Sequence, residues 1–132
     1  MFPSHDLGGG IDNCTNSDYW HNVIGGGCNN TISGTYSGYH FIGGGQNNSL
    51  SGTYVCHTTI AGGYANCITG DSGTIGGGAA NDVYGRSGTI AGGSTNMICS
   101  GEQYATIGGG RNNTVDGDCS IIAGGAYNCN SP

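Results

Sequence analysis

Aliphatic residues recur along the chain at Leu7, Ile24, Ile42, Ile60, Ile75, Ile90, Ile107 and Ile122, separated by 17, 18, 18, 15, 15, 17 and 15 residues. Each is followed by three glycines, or by alanine and two glycines. Six residues beyond each stands an asparagine: Asn13, Asn30, Asn48, Asn66, Asn81, Asn96, Asn113 and Asn128. Two residues further lies a second, mostly aliphatic column of Ile32, Leu50, Ile68, Val83, Ile98 and Val115, with Thr15 and Asn130 in the first and last units. Then comes glycine, at Gly34, Gly52, Gly70, Gly85 and Gly117, with Ser17 and Ser100 as exceptions. No segment has a helical period; each unit holds two short alternating segments separated by turn residues.

Self-similarity at such a period marks a repeat architecture. The pattern predicts an all-β fold, a parallel β-solenoid or β-roll of about eight coils of 15–18 residues, starting at residues 7, 24, 42, 60, 75, 90, 107 and 122 and forming one repeat domain over 1–132. One coil cannot bury its two aliphatic side chains, whereas stacked coils lay Ile on Ile and Val on Ile in a narrow core. The glycines let the chain turn through positive φ and let two thin walls approach. The asparagine column is expected to occupy left-handed turns and to form an amide ladder from coil to coil. Extra residues of the 17- and 18-residue units fall after the second column, so they are expected to bulge from one edge.

A solenoid exposes strand edges at its two ends unless caps cover them. Neither end of this sequence reads as a cap, and the last unit, 122–132, together with 1–6 has the length of one long coil. This predicts self-association, either head to tail into an open filament or as a trimer.

Composition narrows the partners. Thirty glycines in 132 residues are incompatible with an ordinary globular core. Arg86 and Arg111 are the only basic residues, against eight acids. Nucleic acid, which needs a basic stripe, is excluded as a partner on this reading, and an anionic membrane surface is disfavoured. No stretch is long and apolar enough for membrane insertion, and no signal peptide is visible at the start, MFPSHDLGGG. An extracellular or virion-surface location is expected. The seven cysteines, Cys14, Cys28, Cys56, Cys67, Cys99, Cys119 and Cys129, lack any CxxC pair; small half-buried thiols and a disulfide framework both remain open.

The stretches NNTISGTYSGYHFIGGGQNN and NTVDGDCSIIAGGAYN resemble the head repeats of trimeric autotransporter adhesins, a left-handed parallel β-roll, and similar repeats of phage tail fibres and large-virus surface proteins. The resemblance runs from Leu7 to Asn128 and implies a fibre or adhesin head, commonly trimeric, with no catalytic residues to carry over.

Candidate chemistry is sparse. The GGG runs lack a P-loop lysine. The asparagine column stands where a calcium-binding nonapeptide would need aspartate, and Asp12 and Asp82 beside it are isolated. His5, His21, His40 and His57 have neither metal-ligand spacing nor a paired carboxylate. No catalytic residue, metal or cofactor is therefore expected. His21, Tyr39 and His57 each stand three residues before an Ile, and Tyr19, Tyr36 and Tyr54 each stand twelve after the first aliphatic residue of their own unit, Leu7, Ile24 and Ile42. With Trp20, His40 and Phe41 nearby, these form an aromatic edge over the first three coils. The edge reads either as rings packed on one another or as a strip for surface glycans or a receptor. Ice binding ranks lower, because Thr59, Thr74, Thr89 and Thr106 form a single row over half the coils. The sequons at Asn13, Asn29, Asn47 and Asn112 arise readily in an Asn/Thr-rich repeat. The sequence is thus that of a non-enzymatic structural protein, with a binding module as the alternative.

Overall fold

A computed structural model describes residues 5–18 and 20–131. Two parallel eight-stranded sheets run the length of the molecule. One holds β1 (His5–Leu7), β3 (Asn22–Ile24), β5 (Phe41–Ile42), β7 (Thr59–Ile60), β9 (Thr74–Ile75), β11 (Thr89–Ile90), β13 (Thr106–Ile107) and β15 (Ile121–Ile122). The other holds β2 (Cys14–Ser17), β4 (Thr31–Thr35), β6 (Ser49–Thr53), β8 (Cys67–Ile68), β10 (Asp82–Val83), β12 (Met97–Ile98), β14 (Thr114–Val115) and β16 (Cys129–Asn130). Successive strands alternate between the sheets, and each pairs with the strand one coil away, so the chain is a parallel β-solenoid of about seven turns. A third row of isolated parallel bridges, Ile11, Cys28, Gln46, Tyr64, Ala79, Ser94, Arg111 and Ala126, closes one corner.

The pairing is in register throughout. Ile24 faces Ile42, Ile42 faces Ile60, and on the opposite wall Ile32 faces Leu50 and Leu50 faces Ile68. Both walls point inward and are fully buried over the middle coils, while Leu7 in the first coil is 52% exposed. Each buried aliphatic side chain contributes about 1.5–3 kcal/mol. Two of them do not offset the ordering of a whole coil at about 1–2 kcal/mol per residue, so a coil is stable only within a stack.

The asparagine column forms a continuous internal ladder. From Asn30 to Asn128, the backbone N–H of each asparagine donates to the side-chain oxygen of the one a coil earlier, at 3.0–3.1 Å. Each Nδ2 also donates backwards to a glycine carbonyl four residues earlier, as Asn81 does to Gly77 at 3.0 Å. Up to Asn113 it donates forwards as well, to the third glycine of the next coil, as Asn81 does to Gly93 at 3.1 Å. An aspartate could not serve here, because two carbonyls converge on a group that must donate.

The left-handed turn falls one residue before the place the sequence suggested. Asp12, Asn29, Asn47, Ala65, Ala80, Thr95, Asn112 and Tyr127 adopt φ of 53–58°, and the ladder asparagines do not appear among the positive-φ residues. The preceding residue makes the turn because the asparagine must send its amide inward. The third glycine of each coil is needed on two counts: its φ is 91–98°, and a Cβ on Gly78 would lie 2.1 Å from the Gly93 carbonyl oxygen.

In the coil starting at residue 90 the extra residues, Ser100 and Gly101, form an exposed turn before the Arg86↔Gln103 bridge, the bulge the sequence predicts. In the first three coils the extra residues do not bulge: they extend β4 and β6 to five residues each, paired in register from Thr31↔Ser49 to Thr35↔Thr53, and Gly38 bridges Cys56. The first coils are therefore wider, and the added interior is largely polar: Ser37, His40 and Thr58 are buried there beside Val55.

Candidate functional site

The wide edge carries the aromatic residues, on the backbone turns of three successive coils. His21, Tyr39 and His57 stand in one column, since the Tyr39 N–H donates to the Trp20 carbonyl and the His57 N–H to the Gly38 carbonyl. Their rings stack with centroids 5.3 and 5.0 Å apart. Tyr36 and Tyr54 form a second stack at 5.2 Å, tilted only 6° from parallel. Trp20 stands outside the stacks, 6.2 Å from His21 and inclined by 49°. Tyr19 lies outside the described residues. All five stacked residues have left-handed backbones, with φ of 53–63°, a conformation that costs a side-chain-bearing residue roughly 1–2 kcal/mol. In the later coils the column of His21 continues through Ser72, Ser87, Tyr104 and Cys119, with φ of 53–57°.

Between the two stacks runs a third column, Trp20, Gly38 and Cys56. Gly38 has no side chain, and a cleft of about 360 Å3 opens there, lined by Trp20, Gly38, Tyr39 and Cys56. Sequence reasoning missed this cleft. Its signal was present in the 18-residue spacing that puts a glycine between a tryptophan and a cysteine.

His40 does not belong to the aromatic edge, despite its neighbours in sequence. It points into the coil, 1% exposed, with Ser37 Oγ beside Nε2 and Thr58 Oγ1 beside Nδ1. Its backbone N–H donates to Asn22 Oδ1 at 3.1 Å. A serine and a histidine in contact invite comparison with a nucleophile and its base. Here the Ser37 hydroxyl donates to the Val55 carbonyl at 2.7 Å, so Ser37 Oγ accepts from His40 Nε2 and Thr58 donates to Nδ1. The proton runs the wrong way for activating Ser37, and the group is sealed from solvent. Burial, with the charge of His57 next in importance, lowers the His40 pKa to about 4. Phe41, by contrast, is exposed on the outer face of β5.

The remaining candidates lie apart from this edge. Thr59, Thr74, Thr89 and Thr106 pair in register in one sheet, but Phe41 and Ile121 interrupt their row at either end. Asp12 and Asp82 stand in coils far apart in the stack, and the described residues contain no cluster of three or more potential metal ligands. All seven cysteines are free. Of the two cations, Arg86 lies 3.5 Å from Asp71, and Arg111 lies 5.1 Å over the Tyr127 ring. No known family model matches this chain and no curated protein matches its sequence.

Proposed function

We propose that this chain is a non-enzymatic structural module of a surface fibre, adhesin head or virion appendage, acting by coil stacking and self-association. The observation that carries the reading is the uninterrupted Asn13–Asn128 ladder, whose geometry is the same at every step. Backbone and side-chain polar groups are engaged along the fibre axis, and the interior offers rigidity with no reacting centre. The Ser37 proton, held by the Val55 carbonyl and not by His40, supports the same reading. So does the sparse charge, 8% of residues, since weakly charged surfaces rich in Asn, Ser and Thr suit close packing between copies. The partner is a further copy of the chain, and the setting is extracellular or the surface of a virion.

Electron microscopy of the purified chain, with and without reductant, tests this. Head-to-tail growth gives filaments with an axial step of roughly 38 Å, eight coils at ~4.8 Å each, and lateral association gives discrete trimers. A protein that stays monomeric at high concentration in both conditions overturns the self-association reading.

A further inference from the structure

We propose that the slot at Gly38 binds a single ring of a neutral saccharide, with Trp20 as its apolar platform. The slot exists because one column carries a large side chain, none, and a small one on consecutive coils: Trp20, Gly38 and Cys56. Its volume of about 360 Å3 lies within the ~300–1,000 Å3 of ordinary small-molecule sites. The stack of His21, Tyr39 and His57 borders it through Tyr39.

The stacking decides which ligand suits it. Tyr39 has a histidine ring against each face, and Tyr36 and Tyr54 cover one another. Tyr39 therefore presents its edge and phenol hydroxyl to the surroundings, being 55% exposed. Trp20 alone lines the slot from outside a stack. One apolar indole beside the hydroxyl-bearing edge of Tyr39 matches a pyranose, which has a C–H face and a polar rim. A quaternary ammonium requires several open ring faces around it, which this arrangement does not provide.

Charge excludes the acidic saccharides. Both arginines are engaged elsewhere, with Asp71 and with Tyr127, and the chain has no lysine. At the foot of the slot, the Cys56 N–H donates to the Asp71 carboxylate at 2.8 Å. A sialylated, sulfated or phosphorylated ligand would meet negative charge with no partner.

Trp20 is the only tryptophan of the chain, so its fluorescence reports on the slot. The full chain is titrated with cellotriose, chitotriose, maltotriose and mannotriose to about 10 mM, which covers millimolar affinities of about −4 kcal/mol. The result expected is saturable quenching or a spectral shift with at least one of them. Amide chemical-shift changes should then be confined to the first three coils. Gly38→Ser and Cys56→Leu, which fill the slot from its floor and its lower end, should each weaken binding at least about tenfold while preserving the circular dichroism spectrum. Tyr64→Ala, in the next coil, should leave it unchanged. Absence of any saturable response to all four sugars by both readouts overturns the proposal. So does binding that survives both slot-filling variants, or a saturable response to sialyllactose or choline alone.

Discussion

His40 and Thr58 meet across one coil step, the imidazole Nδ1 against the threonine hydroxyl, both completely enclosed. The contact fixes the histidine in its neutral form, because Thr58 donates to Nδ1 and the Ser37 proton is committed to the Val55 carbonyl.

Acid should therefore loosen the wide coils first. The folded pKa of His40 is about 4 against an ordinary value of 6.5, lowered by burial and then by His57, with Asp71 acting in the opposite sense. The unfolded chain binds the proton more readily, so stability rises with pH across this window and is lost as pH falls from about 6.5 to 4. The loss is on the order of 3 kcal/mol, from roughly 1.4 kcal/mol per unit. Denaturant titrations between pH 7 and 4 should show this slope, and His40→Gln should flatten it. An unchanged slope in the variant would assign the acid sensitivity to other groups.

The ladder predicts a ranking at Asn81. Asn81→Ala removes the donor to the Gly77 and Gly93 carbonyls and the acceptor of the Asn96 N–H. Each buried group left without a partner costs about 1–3 kcal/mol, so a loss of about 3 kcal/mol or more is expected. Asn81→Asp should be worse, since a carboxylate would face two carbonyl oxygens. Thermal denaturation of both variants checks the order, and an aspartate variant as stable as wild type would refute the donor requirement.

Adjacent glycines should behave oppositely. Gly93 has φ +93°, and a Cβ there would lie 2.1 Å from the Gly110 carbonyl oxygen, whereas a Cβ at Gly92 meets nothing within 4 Å. Gly93→Ala should disrupt the stack. Gly92→Ala should be neutral or stabilising by up to about 1 kcal/mol through the unfolded chain. Melting temperatures of the two single variants decide the matter.

Thiol labelling should follow position. Cys14, Cys119 and Cys129 are exposed, while burial, with the charge of Asp82 adding to it, raises the Cys67 pKa. Timed alkylation at mildly alkaline pH, read by peptide mass spectrometry, should modify the three exposed thiols first and Cys67 well after them.

The coil was legible in the sequence because its determinants are local and repeated. An aliphatic residue, glycines and an asparagine at fixed spacing specify two short strands and a corner, and eight copies place Ile24 over Ile42 without knowledge of distant contacts. The stacked rings were legible for the same reason, since equal spacing from an Ile puts His21, Tyr39 and His57 in one column. What escaped depended on which way a residue points. His40 looked like one more aromatic on the edge, and only the register of the widened coil sends it inward between Ser37 and Thr58. The left-handed turn was misplaced by one residue because asparagine tolerates that conformation well, yet an asparagine that must reach inward cannot also make the turn. The Gly38 slot was hidden by its nature, since a missing side chain leaves no mark until its column neighbours, Trp20 and Cys56, are known.

The in-register pairing of coil with coil also makes length a counted quantity. The segment 75–89 offers Ile75, Val83 and Asn81 to the coil before it and to the coil after it through the same set of bonds. Removing or duplicating such a segment joins surfaces that already fit, so the molecule can be shortened or lengthened by whole steps without redesigning any contact. Its long dimension behaves as an integer, set by the number of copies of one short phrase.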